Sequence, residues 1–264
     1  LKNCALLVKE NGQYKMTEDC FLLIDGDTIS YIGTEAPNED MTDVWTKDMH
    51  GMLVMQGFAN THGHTPMTLL RSVGSGLSLQ NWLHDEIFPV EEKLTPDDVA
   101  VGQAVGILEM LACGTTMVAD MYDFPWAAGK VLMESGMKAN ICRVGLSFSE
   151  NELFPPQRYD ECVDLVRNFR DPYKRVIPCF CIHSEYLSNE ILVRKIADIN
   201  RDLKANVHVH VSETQREHWA CIDRRGGLTP VQYFENCGLL EQNTYMAHCV
   251  WATEEDLAII KKHI

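Results

Sequence analysis

The sequence predicts an α/β protein whose main part is a (β/α)8 barrel of the TIM type, with six of its eight units present, and a small N-terminal β region. From Leu53 onward, short apolar runs alternate with helical patterns, as in an α/β barrel or a doubly wound sheet. The length of 264 residues is close to the roughly 250 residues of a typical barrel. No Gly-x-Gly-x-x-Gly motif follows the first apolar run, which argues against a dinucleotide-binding sheet.

Residues 1–51 are predicted to form part of a small β domain. The pairs Asn11-Gly12 and Gly26-Asp27 are turn signals between strand-like runs. The predicted strands are 3–8, 20–24 and 28–32.

Residues 52–264 are predicted to form the barrel. Its predicted strands, each short and apolar as expected for buried parallel strands, are 53–58, 115–120, 140–148, 176–182, 206–211 and 244–247. The predicted helices are 95–111, 125–134, 159–169, 188–203, 229–235 and a last one from 253 onward. Because a closed barrel needs eight units, we expect two more beyond residue 264. The chain also starts without Met and ends within a helical pattern, so we expect the native protein to be longer.

The composition narrows the class of protein. With 23 Lys and Arg against 38 Asp and Glu, the formal net charge is −15, which disfavours nucleic acids and anionic membranes as partners. No apolar run approaches the roughly 20 residues that span a bilayer. The N-terminus does not resemble a secretory signal, and the ten cysteines include no Cys-x-x-Cys pair. We therefore expect a cytoplasmic protein with reduced thiols.

Histidines follow or end four of the predicted barrel strands. His62 and His64 are two residues apart, so in an extended backbone both imidazoles point to one side and can bind one ion. His183 and His248 each follow a strand. Since all strand C-termini of a barrel meet at one face, these side chains together predict a metal-dependent active site.

The strand at 206–211 carries the fourth histidine signal. His208 and His210 alternate along it, and Glu213 follows at its C-terminal end. A carboxylate three residues past a ligand is placed to exchange protons with a metal-bound water. His208 points to the same side of the strand as His210 but lies one layer deeper in the barrel. It is therefore predicted to be a packed, hydrogen-bonded histidine. The remaining histidines are predicted to be surface or helix residues: His50, His84, His218 and His263.

The order of these motifs resembles the amidohydrolase superfamily, specifically its 5-methylthioadenosine/S-adenosylhomocysteine deaminase branch. The resemblance spans nearly the whole chain and depends on residues 57–71, Trp82-Leu83, Pro89-Val90-Glu91, Asp120-Met121-Tyr122, residues 183–187, residues 208–214 and Ala247-His248-Cys249-Val250. It implies an amidohydrolase barrel with a small N-terminal β-sandwich portion.

The resemblance also implies the roles of the metal-site residues. His62, His64 and His210 would bind one divalent metal ion, Zn2+ or alternatively Fe2+, with an Asp beyond residue 264 as fourth ligand. Metal-bound hydroxide would attack C6 of the purine and release ammonia. Glu213 would pass a proton to purine N1, and His248 would hydrogen-bond the attacking oxygen. Binuclear relatives have a carboxylated Lys on the fourth strand; residues 176–182 contain none, which implies a single metal.

Substrate contacts are implied in the same way. Glu91 and Glu213 would contact the ribose and the base respectively, His183 would contact the base, and Trp82 would line the pocket. Arg143 and Arg158 match arginines that reach the ribose or the thioether substituent. Position 185 is Glu where the family usually has Pro, which predicts an added negative charge near the pocket. Members of the family are often homo-oligomers.

Two alternatives remain from the sequence. One is a related guanine or pyrimidine aminohydrolase or a triazine chlorohydrolase, because these enzymes share the metal motifs. The other is an inactive homologue that serves as a binding module.

Overall fold

The computed structural model describes residues 1–38 and 40–263, which divide into two compact units, Leu1–Phe58 and Ala59–Ile264. The strands, numbered along the chain, are β1 (Cys4–Glu10), β2 (Gln13–Asp25), β3 (Thr28–Gly33), β4 (Leu53–Met55), β5 (Phe58–Gly63), β6 (Thr115–Met121), β7 (Lys138–Cys142), β8 (Val176–Ile182), β9 (Val207–Val211) and β10 (Thr244–His248). The helices are α1 (Leu79–Asn81), α2 (Phe88–Glu91), α3 (Pro96–Ala112), α4 (Pro125–Ser135), α5 (Gln157–Asn168), α6 (Glu190–Leu203), α7 (Gln215–Arg224), α8 (Pro230–Asn236) and α9 (Glu254–Lys261). A 3-10 turn (Thr65–Leu70) precedes α1, and a π-helical segment (Trp82–Ile87) joins α1 to α2.

The first unit contains a four-stranded sheet in the order β3-β2-β1-β4. Its first three strands are antiparallel neighbours, whereas β4 pairs with β1 in parallel. Cys4, Leu6, Cys20 and Leu22 form its buried core. The three predicted strands are present, with β2 considerably longer than expected.

The second unit contains six strands in the order β10-β9-β8-β7-β6-β5. Strand β7 is parallel to β6 and to β8, and strand β9 is parallel to β8 and to β10. Because the spatial order follows the chain order without reversal, the sheet is wound as in a barrel and lacks the order reversal of a doubly wound sheet. The predicted α/β fold is confirmed.

The start of the barrel sheet differs from the prediction of one strand at 53–58. Leu53–Met55 belongs to the small sheet, and the first barrel strand is Phe58–Gly63. Gly57 lies between the two, where a residue without a side chain weakens a continuous strand. His62 therefore lies within the strand, and His64 follows it by one residue.

Helix starts in the second unit are fixed by side-chain caps. Thr95, Thr214, Thr229 and Thr253 each accept a hydrogen bond from the backbone N–H three residues on, and each forms a complete capping box. Asn189 caps α6 through its own side chain. These caps fix where the chain leaves each strand end, which is where the functional residues lie.

The core of the second unit lies between the sheet and its helices. One cluster surrounds β8 and β9 and includes Phe180, Ile196, Val209 and Phe234, all fully buried. A second cluster joins β6 and β7 to α3–α5. None of the helices in the described ranges has the length and apolarity that a membrane span requires.

Candidate metal centre and active-site cavity

Three of the predicted histidines converge at the C-terminal ends of β5 and β9. The ligand nitrogens of His62, His64 and His210 all lie within 4.8 Å of one another. Within residues 1–38 and 40–263, this is the one group of three or more His, Cys, Asp or Glu side chains close enough to share an ion. The structure thus brings together the three residues predicted as metal ligands.

Backbone carbonyls fix the tautomers of two of these rings. The Nδ1–H of His64 donates to the carbonyl of Met121 (2.7 Å), and that of His210 donates to the carbonyl of His183 (2.6 Å). Because a carbonyl only accepts, each Nδ1 carries the proton and each Nε2 keeps a lone pair. The two Nε2 atoms lie 3.3 Å apart.

Two lone pairs at that distance repel unless a cation lies between them. With Zn–N bonds of about 2.0–2.1 Å, two nitrogens of a tetrahedral site are separated by about 3.3 Å. The spacing of His64 and His210 therefore fits a zinc ion. Carbonyl acceptors on the opposite ring nitrogen are the usual support of metal-binding histidines.

His62 is supported by a histidine instead of a carbonyl. Its Nδ1 lies 2.9 Å from Nε2 of His208, and His208 is 1% exposed. The prediction of His208 as a packed, hydrogen-bonded residue is confirmed. Burial lowers the pKa of His62 to about 4 and that of His208 to about 3, so both rings are neutral, which is the form that binds metals.

Glu213 and His248 face each other beside the three histidines. His248 Nε2 lies 3.7 Å from Glu213 Oε2. Burial raises the pKa of Glu213, and the neighbouring His248 lowers it by a smaller amount. His248 has a φ of 75° and Ser212, next to Glu213, has a φ of 48°. Such left-handed backbone at non-glycine residues is uncommon and clusters at functional sites.

A cavity of about 840 Å³ opens onto this group. Most of the predicted site residues line it: His62, His64, Trp82, Glu91, Arg158, His183, His210, Glu213 and His248. Trp82 lies in the π-helical segment and donates its indole N–H to the Val73 carbonyl (2.8 Å), so it presents its ring to the cavity. Burial lowers the pKa of His183 to about 3.

Arg143 is the predicted substrate contact that does not line the cavity. Its guanidinium forms ion pairs with Asp123 and with Glu161, the latter at 2.7 Å. Arg158 lies in the wall and donates to both oxygens of the same Asp123, at 2.7 and 2.9 Å. The two arginines that the resemblance singled out thus share one carboxylate.

Several lining residues were given no role from the sequence, among them Tyr122, Asp123 and His84. Tyr122 and Asp123 follow β6, and His84 is exposed on the π-helical segment, in agreement with its prediction as a surface or helix residue. Burial, followed by the charge of the nearby Glu91, raises the pKa of the Tyr122 phenol. A useful signal was available, because Asp123 lies in the loop just after a predicted barrel strand, the place where catalytic residues of barrels occur.

The expected effect of Glu185 is wrong. Its carboxylate is fully buried and does not line the cavity. It forms ion pairs with Arg224 and with Arg225, the latter at 2.6 Å. Two guanidiniums more than balance its charge, so it adds no negative charge to the pocket.

Comparison with known proteins agrees with the fold and shows the family. The sequence model of the amidohydrolase family matches residues 53–264. The chain is 32% identical to the 5-methylthioadenosine/S-adenosylhomocysteine deaminase of Acetivibrio thermocellus, over 99% of this chain and 60% of that protein. It is 31% identical to the 5'-deoxyadenosine deaminase of Methanobrevibacter smithii, over 92% of this chain and 55% of that protein. The chain thus spans 55–60% of the length of these curated relatives.

Solved structures show the same architecture. The guanine deaminase of C. acetobutylicum with bound guanine has a TM-score of 0.87 at 18% identity, covering 98% of this chain and 64% of that one. An adenosine deaminase of Xanthomonas campestris with bound zinc has a TM-score of 0.78 at 26% identity, covering 99% of this chain and 61% of that one. At 18% identity the first of these likenesses concerns the fold alone.

Proposed function

This chain belongs to the amidohydrolase family, and we propose that it carries the catalytic residues of a metal-dependent deaminase of adenosine-type nucleosides. The observation that carries the proposal is the 3.3 Å separation of two unprotonated ring nitrogens, on His64 and His210, beside the pair Glu213–His248. The relatives that match over most of the chain bear the names of such deaminases.

The proposed metal ligands are His62, His64 and His210, with one Zn2+ as the ion. A zinc ion bound there would lower the pKa of a coordinated water from about 15.7 towards about 7. Strand β8 offers no lysine to bridge a second ion, which supports a single metal. The three rings are held neutral by burial, so they offer lone pairs without losing a proton first.

Glu213 is proposed as the group that moves the proton. Its carboxylate would accept a proton from the attacking water and deliver it to N1 of the purine as the hydroxide oxygen bonds to C6. It would then pass the proton of the new C6 hydroxyl to the amino group, which leaves as ammonia while the C6–O double bond forms. A carboxyl whose pKa is raised by burial is suited to both accepting and returning a proton near neutral pH. His248, 3.7 Å from it, would hydrogen-bond the oxygen at the tetrahedral carbon.

The remaining lining residues are proposed to bind the substrate. His183 lies against His210 (ring centroids 4.8 Å apart) and would contact the base. Glu91 would accept hydrogen bonds from the ribose hydroxyls, and Trp82 would pack against the nucleoside. Arg158 is retained as a contact to the ribose or the 5' substituent. Arg143 would not touch the substrate; it would help to position Arg158 through the carboxylate of Asp123, with which both arginines pair.

The proposal extends to domains and to location. We propose that the first unit is part of a small β-sandwich domain and that the second is the hydrolase barrel. All ten cysteines are free thiols, eight of them buried, which supports a reducing compartment such as the cytoplasm.

The test is a deamination screen combined with metal analysis. Purified protein is assayed for ammonia release from 5'-methylthioadenosine, S-adenosylhomocysteine, 5'-deoxyadenosine, adenosine and guanine, and its zinc content is measured. We expect one zinc per chain and release from the adenosine-type nucleosides. Release from guanine alone would replace this proposal by a guanine aminohydrolase, the activity named for one structural relative.

A further inference from the structure

The wall of the cavity contains a compact group of alternating charges around Asp123. Asp123 accepts from Arg158 at 2.7 and 2.9 Å and forms an ion pair with Arg143. Arg143 also donates to Glu161 (2.7 Å). The two arginine side chains are only 14% and 19% exposed. Charge-assisted contacts of this kind are strong, although a single nitrogen of Arg158 reaches both oxygens of Asp123.

The group is electrically balanced before any ligand enters. Two guanidiniums meet two carboxylates, and Arg158 presents a cation whose charge Asp123 already offsets. Among the lining residues that the structure describes, one carries a guanidinium and four carry carboxylates: Arg158 against Glu91, Glu92, Asp123 and Glu213. An anionic group that reaches the Asp123–Arg158 pair would therefore find a guanidinium whose charge is already offset by a carboxylate.

Apolar side chains also line the cavity. Met67, Leu94, Leu146 and Phe148 line the cavity, and such surfaces bind uncharged alkyl or thioether groups by removing them from water. A carboxylate brought into the cavity would lose hydration without gaining an unpaired cation.

We propose that Asp123 is a specificity-determining residue that selects adenosine-type nucleosides whose 5' substituent carries no carboxylate. The inference deepens the proposed deaminase function and depends on it. It divides the two substrates named together in the relatives: 5'-methylthioadenosine ends in a neutral methylthio group, whereas S-adenosylhomocysteine ends in a zwitterionic amino acid, whose carboxylate is the group that Asp123 would disfavour. Asp123 would disfavour the second by occupying Arg158 and by like-charge repulsion.

The first experiment separates charge from size. The value of kcat/KM is measured for S-adenosylhomocysteine and for S-adenosyl-3-thiopropylamine, which keeps the chain and its ammonium but lacks the carboxylate, with 5'-methylthioadenosine as the reference. We expect both carboxylate-free nucleosides to exceed S-adenosylhomocysteine by about tenfold or more, because only its carboxylate lies next to Asp123 without a free cation. Equal values for S-adenosylhomocysteine and the thiopropylamine would overturn the proposal.

The second experiment changes the residue itself. Asp123→Asn keeps the side-chain shape and releases Arg158 to pair with a substrate carboxylate. We expect KM for S-adenosylhomocysteine to fall about tenfold, with a much smaller change for 5'-methylthioadenosine. In the double variant Asp123→Asn/Arg158→Gln the gain should disappear. Asp198→Asn is the matched control, since Asp198 pairs with Arg201 on an exposed helix face away from the cavity.

The outcomes distinguish a failure of this inference from a failure of the proposed deaminase function. If no nucleoside is deaminated, the proposed function fails. If all are deaminated with equal efficiency, or if Asp123→Asn leaves the ratio of substrates unchanged, the function stands and the role of Asp123 is wrong. Should Asp123→Asn not fold, the wild-type comparison still decides.

Discussion

The Nε2 atoms of His64 and His210 lie 3.3 Å apart, and neither carries a proton, because the opposite nitrogen of each ring donates to a backbone carbonyl. Those carbonyls belong to Met121, at the end of β6, and His183, directly after β8. Four strand ends therefore contribute to the placement of two rings. This arrangement makes the barrel edge a site for a cation before any metal binds.

Removing one of these rings should remove the metal. We expect His210→Ala to lose zinc affinity by about 100-fold or more, since even the partners of metal ligands are worth about 10–100-fold. Zinc per chain, measured by elemental analysis after gel filtration, checks this. His50→Ala is the control, because His50 is highly exposed. Stoichiometric zinc in His210→Ala would show that the ion is held elsewhere.

Glu213→Gln separates proton transfer from metal binding. The variant should keep zinc, because Glu213 is not among the three clustered ligands. Its kcat should fall by about 10²–10⁴, the usual contribution of a positioned acid or base. Single-turnover deamination and zinc analysis on the same sample make the test. Near-normal turnover would show that another group carries the proton.

The sequence predicted the fold and the histidine cluster because both follow from local patterns. Val176–Ile182 was predicted with its observed bounds, since its length of seven residues and its place between two helical patterns favour a buried strand over a helix. His62, His64 and His210 were found because strand ends of a barrel share one face. Helix α7 was missed although Thr214 and Glu217 form a capping box, because its residues are mostly polar.

Local sequence patterns could not predict which side chains form ion pairs with residues far away in the sequence. Glu185 was expected to charge the pocket, yet Arg224 and Arg225 lie about 40 residues further on and turn it into a buried pair. The position of Asp123 after a barrel strand was visible in the sequence, but its pairing with Arg158, 35 residues away, was not. Which carboxylate pairs with which guanidinium depends on tertiary packing, and it cannot be predicted from the spacing of the residues along the sequence.

Glu217 should make stability depend on pH. Burial raises its pKa to about 7 from an ordinary 4.5. A raised carboxyl pKa means that the folded state holds the proton more tightly, so the contribution of Glu217 to stability is fully present below pH 4.5 and is lost as the pH rises through 7. Glu217→Gln keeps an acceptor for the N–H groups of Glu213 and Thr214 but cannot ionise.

The comparison of wild type and variant isolates that effect. The free energy of unfolding, from urea titrations between pH 4.5 and 8, should favour Glu217→Gln increasingly with pH, by on the order of 3 kcal/mol at pH 8. Glu255→Gln, at an exposed position in the first turn of α9, serves as control. A pH-independent difference between wild type and Glu217→Gln would contradict the shift.

The buried pair at Glu185 should be costly to break. Glu185→Ala leaves two guanidiniums, on Arg224 and Arg225, without their fully buried partner, and removing one side of such a pair costs about 3–5 kcal/mol. Glu150→Ala removes only the 55% exposed partner of Arg225, so it should cost at most about 1 kcal/mol. Urea unfolding of the two variants measures both values. Equal losses would mean that burial does not strengthen the inner pair, and that the ion pairs of Glu185 contribute no more than an ordinary surface contact.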